Sequence, residues 1–487
     1  MTDPVQPTPV PFPREGQPKE AILRAMAEAR DRDVRWREGK AFSMVYFAGD
    51  EILDMLKEAY GMFFSENGLN PTAFPSLRKF ETEVIGMTAS LLGGDAGVCG
   101  NMTAGGTDSI LAEVKTARDW ARAQKPTIVA PEMALPITAH PAFDKAGHYL
   151  GVKAVHVPVR ADSRADVTAI RDAINERTIL IVGSAPSYPH GVVDPIPELG
   201  QVALERGLLC HVDACVGGFV LPFARRLGYP TPPFDFSVPG VTSISADLHK
   251  YGYAAKGASV ILYRNAELRR HQFFVATGWP GGIYASPALA GTRPGGAIAA
   301  AWAVMNFLGE EGYLRITDTM MRTATKLRDG INAIPGVRVL SDPDMCVMAI
   351  GSDRLDVYEV ADELQLRGWH LDRQQFPPSL HLNVTYAHAA TADAFLADLA
   401  AAVSQVRRPN LRRWASHAGT KAVGGLTRIL PERWVSRLTS LAGPLVGKGD
   451  GLPGRSAPMY GMMAALPNRG DVDQIVLDVL DGLTKTG

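Results

Sequence analysis

The chain has 487 residues, of which 46% are apolar, so it is long enough for one large domain or two to three ordinary domains with a substantial core. Its 50 basic and 51 acidic residues leave a net charge of −1, which gives no overall electrostatic footprint for nucleic acid. The sequence contains no run of about 18 apolar residues, so no membrane-spanning helix is expected. Four cysteines without CxxC spacing predict free thiols in a reducing compartment instead of a disulfide framework.

The N-terminal arm is polar and rich in proline, and it lacks the apolar core of a signal peptide. From about residue 85 to 305, short apolar runs alternate with helical patterns. The apolar runs predict buried strands at 127–131, 152–159, 178–184, 208–214, 241–247 and 259–263, and helical patterns lie at 168–177 and 196–207. This alternation is typical of an α/β domain with a mainly parallel sheet, in which the last of these runs is expected to be the antiparallel exception.

The pattern changes after about residue 305. A long helical pattern at 296–333 leads into two predicted strands around an Asp-Pro turn at 336–352. A helix at 356–367, a strand at 379–385 and a helix at 391–406 follow, which predicts a smaller α+β domain. We therefore expect an arm and helical segment at 1–80, a large α/β domain at 81–305 and a small C-terminal domain at 306–487.

A basic segment at 407–455 interrupts the small domain, with ten Lys or Arg residues against two acidic ones. Within it, the stretch "PERWVSRLTSLAG" places Trp434, Leu438 and Leu441 on one helical face, beside Arg433 and Arg437. A basic amphipathic helix of this kind can lie on an anionic membrane surface. The alternative is a surface helix that packs on its own domain with solvated charges.

The stretch "NMTAGGTDSILAEV" predicts a phosphate site. Gly105 and Gly106 allow backbone N–H groups to approach a ligand, and Thr107 and Asp108 are good N-cap residues for the helix that follows. The N-terminus of a helix presents free N–H groups and a positive dipole end, which bind anions. An ordinary Gly-Gly turn is the alternative.

Two further segments carry chemistry at predicted strand ends. Asp213 ends the strand in "HVDACVGG", and Lys250 follows the strand in "SISADLHKYGYAAKGAS". One strand–connection–strand step separates them, so both side chains are expected in one crevice. Taken alone, Asp213 can equally be a helix cap, Lys250 a surface charge, and His140 in "TAHPAF" a structural histidine.

Together these residues match the needs of pyridoxal 5'-phosphate. The strand-end lysine would bind the cofactor covalently, the carboxylate would keep the ring nitrogen protonated, and the glycine turn would hold the phosphate. No metal site is predicted.

The sequence also resembles the sphingosine-1-phosphate lyase subgroup of the group II decarboxylase family, which are fold-type I pyridoxal enzymes. The similar segments run from about 40 to 405 and resume at "APMYGMMA" (457–464): "FPSLRKFETEV" (74–84), "TAGGTDSI", "PHGVVDPIPE" (189–198), "HVDACVGGF", the lysine segment above, "GWPGGIYASPALAGTRPGG" (278–296) and "QFPPSLH" (375–381). The resemblance implies a large domain with a mainly parallel seven-stranded sheet, a small α+β C-terminal domain and a homodimer with shared active sites.

The resemblance also implies roles for individual residues. Catalytic roles fall to Lys250, Asp213, His140, which would stack on the cofactor ring, and Tyr46. Cofactor contacts are implied for Gly105, Gly106, Thr107, His140, Ser184, His211, Asp213, His249, Lys250 and Thr292, and substrate contacts for Tyr46, Asn70, Lys256 and Arg293. The family carries His at the position of Asn70 and Ser at that of Thr292; an Asn donates a hydrogen bond but carries no charge.

The implied reaction is retro-aldol cleavage of phosphorylated sphingoid bases into a long-chain aldehyde and phosphoethanolamine. The sequence lacks the membrane anchor of the eukaryotic lyases, which predicts a cytoplasmic enzyme. A group II amino-acid decarboxylase is the first alternative. A non-catalytic membrane- or partner-binding protein that retains the fold is the second, and the basic segment is its best support.

Overall fold

The computed structural model describes residues 11–31 and 33–408, together with residues 457, 473, 476, 477, 480 and 481. The helices are α1 (Lys19–Arg30), α2 (Asp50–Met62), α3 (Pro75–Leu91), α4 (Gly106–Gln124), α5 (Ala142–Leu150), α6 (Val167–Ala173), α7 (Ile196–Arg206), α8 (Leu221–Arg226), α9 (Ala266–Arg270), α10 (Gly295–Ala333), α11 (Val357–Gln365) and α12 (Ala392–Arg407). The strands are β1 (Cys99–Thr103), β2 (Glu132–Pro136), β3 (Lys153–Val157), β4 (Thr178–Ser184), β5 (Leu209–Asp213), β6 (Ser243–Ala246), β7 (Ser259–Tyr263), β8 (Phe274–Ala276), β9 (Tyr284–Ser286), β10 (Arg338–Val339), β11 (Val347–Gly351), β12 (Asp372–Gln374) and β13 (Ser379–Asn383).

The main sheet has seven strands in the order β1-β7-β6-β5-β4-β2-β3. Strands β3, β2, β4, β5 and β6 pair in parallel, whereas β7 runs antiparallel to both of its neighbours, β6 and β1. The predicted mainly parallel α/β sheet is therefore confirmed, as is the antiparallel exception at 259–263. Connections through helices bring the carboxyl ends of the parallel strands to one edge of the sheet, which is where ligands bind in such folds.

The central strands are buried along their whole length. Every residue of β4, β5, β6 and β7 is buried, which explains why they appear in the sequence as nearly continuous apolar runs. Apolar side chains of α4 and α5, such as Val114 and Phe143, pack with Ile179 and Val182 in one core cluster. This packing fixes the strand ends from which the candidate site is built.

Two strands differ from the sequence-based expectation. The run at 127–131 is not a strand, because Val129 is 92% exposed and β2 begins only at Glu132. The apolar pattern missed this strand because its first residue, Glu132, is charged. The buried Glu132 carboxylate is paired with Arg177 at 2.8 Å. Strand β1 was not predicted because it is short and polar. Its Gly100 is needed for close approach to β7, where a Cβ would lie 2.2 Å from the Ile261 carbonyl oxygen.

The helices and strands predicted between 296 and 406 occur in the expected order, whereas β8, β9 and β12 were not predicted. Strands β10, β11, β13 and β12 form a four-stranded sheet in that order, β8 and β9 form a hairpin, and α10 is interrupted by a non-helical residue at Gly309. Of the described residues, one compact unit comprises Arg37–Ile350 and His381–Leu396 and contains all the candidate site residues; the other comprises 11–31, 33–36, 351–380 and 397–408, together with the six described residues from 457 to 481. The domain limits at 81 and 306 stay predictions. Residues 409–455 of the basic segment lie outside the described residues.

Among the residues described, no helix combines the length and apolar character needed to cross a bilayer. The four cysteines are free thiols, of which Cys210, Cys215 and Cys346 are buried.

Candidate active site

A recess of about 540 Å³ lies at the carboxyl edge of the parallel strands. Most of its lining comes from segments at the ends of five strands: Ala104 to Asp108 after β1, His140 after β2, Ser184, Pro186 and Tyr188 at the end of β4, Asp213, Cys215 and Val216 at the end of β5, and Asp247, His249 and Lys250 after β6. Ile110 and Leu111 of α4 and the loop residues Leu289 and Ala290 complete it. The structure thus brings together in one place the residues that the sequence analysis placed at strand ends.

The glycine turn forms one wall of this recess. Helix α4 begins at Gly106, and its N-cap residue is Gly105. Thr107 and Asp108 were expected to be N-cap residues, but they lie in the first turn of the helix. The Asp108 carboxylate accepts a hydrogen bond from the Ala104 N–H at 2.9 Å and fixes the turn. A Cβ at Gly106 would lie only 2.9 Å from both the Asp247 carboxylate and the Cys215 sulfur. Glycine is therefore required for the helix N-terminus to come this close to the lysine segment.

Lys250 is held by an acidic partner three residues earlier in the chain. Its Nζ lies 2.8 Å from Asp247 Oδ2, and the Asp247 side chain is only 1% exposed. Burial disfavours the charged form of each group, but their mutual attraction outweighs it. The pKa of Lys250 is therefore raised and that of Asp247 is lowered. Lys250 is thus held as an ammonium ion paired with the Asp247 carboxylate.

Asp213 and His140 both line this recess. Asp213 Oδ1 accepts hydrogen bonds from the Cys215 N–H at 3.0 Å and from the Ser245 hydroxyl at 3.4 Å. His140 Nδ1 accepts from the Ala142 N–H at 3.1 Å, which leaves Nε2 to carry the proton of the neutral ring. Desolvation within the recess lowers the pKa of His140 against the opposing attraction of Asp213. A neutral, solvent-accessible ring suits stacking on an aromatic ligand.

Ser184 and His249 are held by their own neighbours. The Ser184 N–H donates to Asp194 Oδ2 at 2.8 Å, and burial raises the pKa of Asp194 to about 6. His249 Nδ1 accepts from the Ala258 N–H at 3.2 Å, and burial lowers the pKa of its ring. Both residues are therefore fixed in position at the edge of the recess.

Tyr46 and Lys256 form a pair close to Lys250. The Lys256 ammonium lies 5.3 Å from the centre of the Tyr46 ring and donates to the carbonyl oxygens of Met44 at 3.0 Å and His249 at 3.3 Å. Burial and the nearby charge of Lys250 lower the pKa of Lys256. This pair supplies a phenol and a cation beside the lysine.

The structure does not bring Asn70 and Arg293 to this recess within one chain. They line a separate cavity of about 540 Å³, in which Arg293 forms a salt bridge with Glu81 at 2.6 Å. Asn70 Oδ1 is used to cap a turn, accepting from the Thr72 N–H at 2.9 Å and from its hydroxyl at 2.7 Å.

Two cofactor contacts implied by the resemblance also lie away from the lining. Thr292 Oγ1 donates to Asn67 Oδ1 at 3.2 Å. His211 lies fully buried in β5 behind Asp213. Thr292 and His211 therefore do not line the Lys250 recess in this chain.

The residues of the recess fit pyridoxal phosphate. The glycine turn at the N-terminus of α4 offers backbone N–H groups and the positive end of a helix dipole to a phosphate. Asp213 offers a carboxylate to a ring nitrogen, and Lys250 offers an amine to an aldehyde carbon. The close approach at Gly106 leaves no room for a side chain in this cradle.

Comparison with known proteins gives the family. Residues 4–350 match the family described as the pyridoxal-dependent decarboxylase conserved domain. The chain belongs to the pyridoxal-dependent decarboxylase family. Pyridoxal phosphate is therefore its cofactor, and the fold is that of fold-type I pyridoxal enzymes.

This family member is similar to several named proteins. It is 44% identical to a sphingosine-1-phosphate lyase of Arabidopsis thaliana over 468 residues, which is 94% of this chain and 78% of the relative. It is 43% identical to sphingosine-1-phosphate lyase 1 of Rattus norvegicus over 87% of this chain and 74% of the relative. The solved structure of a Burkholderia pseudomallei sphingosine-1-phosphate lyase superimposes with a TM-score of 0.79 at 41% identity, covering 84% of this chain and 96% of that one.

Sequence reasoning missed several residues that shape the site of this pyridoxal-dependent enzyme. Asp247 stands three residues before Lys250, a spacing that places both on one turn and gave a usable signal. Asp194, Ser245 and Glu81 gave no such signal, because each meets its partner through the fold and not along the chain.

Proposed function

We propose that this pyridoxal-dependent lyase cleaves phosphorylated sphingoid bases between C2 and C3, as a sphinganine-1-phosphate aldolase does, and releases a long-chain aldehyde and phosphoethanolamine. The observation that carries this proposal is the complete Lys250–Asp247–Asp213 arrangement in a chain that is 44% identical to a sphingosine-1-phosphate lyase over 94% of its length.

The residues of the chain divide the work. The bound cofactor supplies the electron sink that stabilises the carbanion left when the C2–C3 bond breaks. Asp213 would hold the ring nitrogen, and the N-terminus of α4 would hold the cofactor phosphate. His140 would cover the ring with a neutral imidazole, which would add contact without placing another positive charge against it.

Proton transfer falls to groups near Lys250. Cleavage requires that a base remove the proton of the substrate C3 hydroxyl. The Lys250 amine in its neutral form and the Tyr46 phenolate are the two candidates. Lys256 supplies a positive charge beside both, which favours the anionic form of any phosphate or phenolate there.

The decisive experiment is product analysis with a phosphorylated sphingoid base. The purified chain loaded with pyridoxal phosphate should release a long-chain aldehyde and phosphoethanolamine, and Lys250→Ala should release neither. Lys57→Ala is the matched control, because this surface lysine lies on α2 with its side chain 59% exposed. The proposal fails if the wild-type chain does not cleave this substrate.

Decarboxylation of an amino acid is the second candidate. The chain is 36% identical to a probable L-aspartate decarboxylase of Pyrococcus furiosus over 74% of its length. Release of CO₂ from L-aspartate or L-glutamate without cleavage of the sphingoid base would favour it. A chain that binds the cofactor and turns over none of these substrates would favour the non-catalytic alternative.

We further propose a homodimer with shared active sites. Two observations support it. The hairpin and its loop expose apolar side chains, with Val275 58%, Trp279 60% and Ile283 79% exposed. Arg293 also lines a cavity separate from Lys250 within one chain. Sedimentation at micromolar concentration should give about twice the 52.3 kDa chain mass, and a fully active monomer would contradict shared sites.

Cytoplasmic location and membrane contact through 407–455 complete the proposal. The four free thiols support a reducing compartment, and cell fractionation tests the location. The excess of basic residues in 407–455 supports peripheral contact with anionic lipid. Binding to anionic vesicles that weakens at high salt and is lost when 409–455 is deleted is the expected result.

A further inference from the structure

A row of polar side chains lies behind Asp213 in the middle of the sheet. His211 and Asp213 are two residues apart on β5, so they face the same side of the sheet. The parallel register pairs His211 with Ser243 and Asp213 with Ser245 on β6. All four residues are therefore neighbours, although His211 itself is fully buried and does not line the recess.

Hydrogen bonds connect these residues in sequence. His211 Nδ1 lies 2.9 Å from the Ser243 hydroxyl, and Nε2 lies 3.2 Å from the Ser245 hydroxyl. Ser245 in turn donates to Asp213 Oδ1 at 3.4 Å. Burial lowers the pKa of His211 to about 4, so the ring is neutral and carries a single N–H.

The donor and acceptor capacity of the Ser245 hydroxyl decides which group donates in each of these hydrogen bonds. A hydroxyl has one hydrogen to donate and two lone pairs that accept. The Cys215 thiol donates to Ser245 at 3.3 Å and fills one lone pair. If His211 Nε2–H fills the other, the only hydrogen of Ser245 is left for Asp213, which as a carboxylate only accepts. In the other tautomer that hydrogen goes to Nε2 and Asp213 loses the bond.

The charge of Asp213 favours the first arrangement. A hydrogen bond from Ser245 to the Asp213 carboxylate is charge-assisted and stronger than one to the neutral His211 ring. Ser243 then donates its own hydrogen to His211 Nδ1 at 2.9 Å.

We propose that His211 and Ser245 form a positioning relay that orients the Asp213 carboxylate toward the ring nitrogen of pyridoxal phosphate, with Ser243 donating to His211. His211 is then a positioning residue and not a cofactor contact. This inference deepens the proposed function and rests on its cofactor assignment, not on its substrate. It holds equally for a lyase or a decarboxylase.

The experiment uses the full chain loaded with pyridoxal phosphate labelled with ¹⁵N in the ring. Solid-state ¹⁵N NMR follows the pH at which the bound ring nitrogen loses its proton, and equilibrium dialysis gives the Kd of the cofactor. The variants are Ser245→Ala, His211→Leu, His211→Gln and the double variant of Ser245→Ala with His211→Leu. The control is His388→Leu, because His388 is also a buried histidine whose pKa burial lowers to about 4, but it bonds Thr385 and Ala41 instead.

Ser245→Ala and His211→Leu should each lower the ring-nitrogen titration by about one pH unit and weaken cofactor binding about tenfold, as expected for loss of one hydrogen bond to a charged group. The double variant should be no worse than either single variant, because both act through one chain of bonds. His211→Gln keeps a side-chain N–H donor and should recover most of the shift. His388→Leu should reduce stability without moving the ring-nitrogen titration.

An unchanged ring-nitrogen titration in Ser245→Ala would overturn the relay. A His211→Leu variant that loses stability as His388→Leu does, without a change in the ring-nitrogen titration or the cofactor Kd, would also overturn it. If His211→Leu does not fold, Ser245→Ala decides alone, since it removes a single buried hydroxyl. Failure of the wild-type chain to bind the cofactor would overturn the cofactor assignment and the relay together. Failure to cleave a sphingoid base, with the ring-nitrogen shift present, would overturn only the substrate assignment.

Discussion

Substitution of Gly106 by Ala tests how tightly the cofactor cradle is built. The added Cβ would lie 2.9 Å from Asp247 Oδ2, 2.9 Å from Cys215 Sγ and 3.0 Å from Asp247 Oδ1. Favourable contacts between non-bonded heavy atoms begin at about 3.5 Å, so these neighbours must move by about half an ångström. Neither can swing into solvent, because the Asp247 side chain is 1% exposed and Cys215 is buried at 6%.

The cost of this overpacking exceeds the gain from a better helix former. Inserting a methyl group into a well-packed site costs about 1–3 kcal/mol. Replacing glycine by alanine inside a helix returns at most about 1 kcal/mol, and Gly106 is the first residue of α4, where the gain is smaller. We expect a net loss of about 1–2 kcal/mol in the free energy of unfolding. Displacement of Asp247 should also weaken its 2.8 Å contact with Lys250 and reduce cofactor affinity.

Urea unfolding of the cofactor-free chain and the Kd for pyridoxal phosphate measure the two effects separately. Gly86→Ala on α3 is the matched control, because no described atom outside its own helix lies within 4 Å of a Cβ placed there. That control should gain about 0.5–1 kcal/mol and bind the cofactor normally. A Gly106→Ala chain that is as stable as the wild type and binds pyridoxal phosphate within about twofold would refute the close-packed cradle.

Four further predictions concern side chains of the recess, of the core behind it and of the separate Asn70 cavity. Lys250→Ala should abolish turnover while the chain stays folded by circular dichroism. A variant that turns over substrate at the wild-type rate would show that Lys250 is not the lysine that binds the cofactor. Asp213→Asn should lower kcat/KM by about two powers of ten or more, which corresponds to about 3 kcal/mol; a change below about twofold would make this carboxylate structural. Because burial raises the pKa of Glu113 to about 8 from 4.5, the folded chain favours the protonated acid and loses stability as pH rises between these values. Glu113→Gln should remove about 3 kcal/mol of that loss between about pH 5 and pH 8, measured by urea unfolding, and an unaltered pH dependence would contradict it. Lys256→Met should raise KM for a phosphorylated substrate far more than for its unphosphorylated analogue, whereas Asn70→His should be neutral or improve phosphate-dependent binding. If Lys256→Met harms both substrates equally, the role of Lys256 lies in its hydrogen bonds with the Met44 and His249 carbonyls and not in binding phosphate.

Local sequence was sufficient for five of the seven strands of the main sheet, β3 to β7, and for Asp213 and Lys250 at its edge. The apolar runs at 178–184 and 259–263 coincide with β4 and β7, because strands buried on both faces need continuous apolar side chains. Asp213 and Lys250 were also predicted at one edge, since each directly follows or ends a strand whose direction the α/β alternation fixes. These features depend on neighbours along the chain, so they can be predicted from the sequence.

Contacts between distant segments were decided only by the tertiary structure. The polar row behind Asp213 exists because the register of β5 and β6 sets His211 against Ser243 and Asp213 against Ser245, which are 32 residues apart in the chain. Arg293 likewise meets Glu81 across 212 residues of sequence and lines a cavity apart from Lys250. Hydrogen bonds and ion pairs act over a few ångströms, so which of these polar groups meet depends on how strands and loops pack and not on their order in the chain.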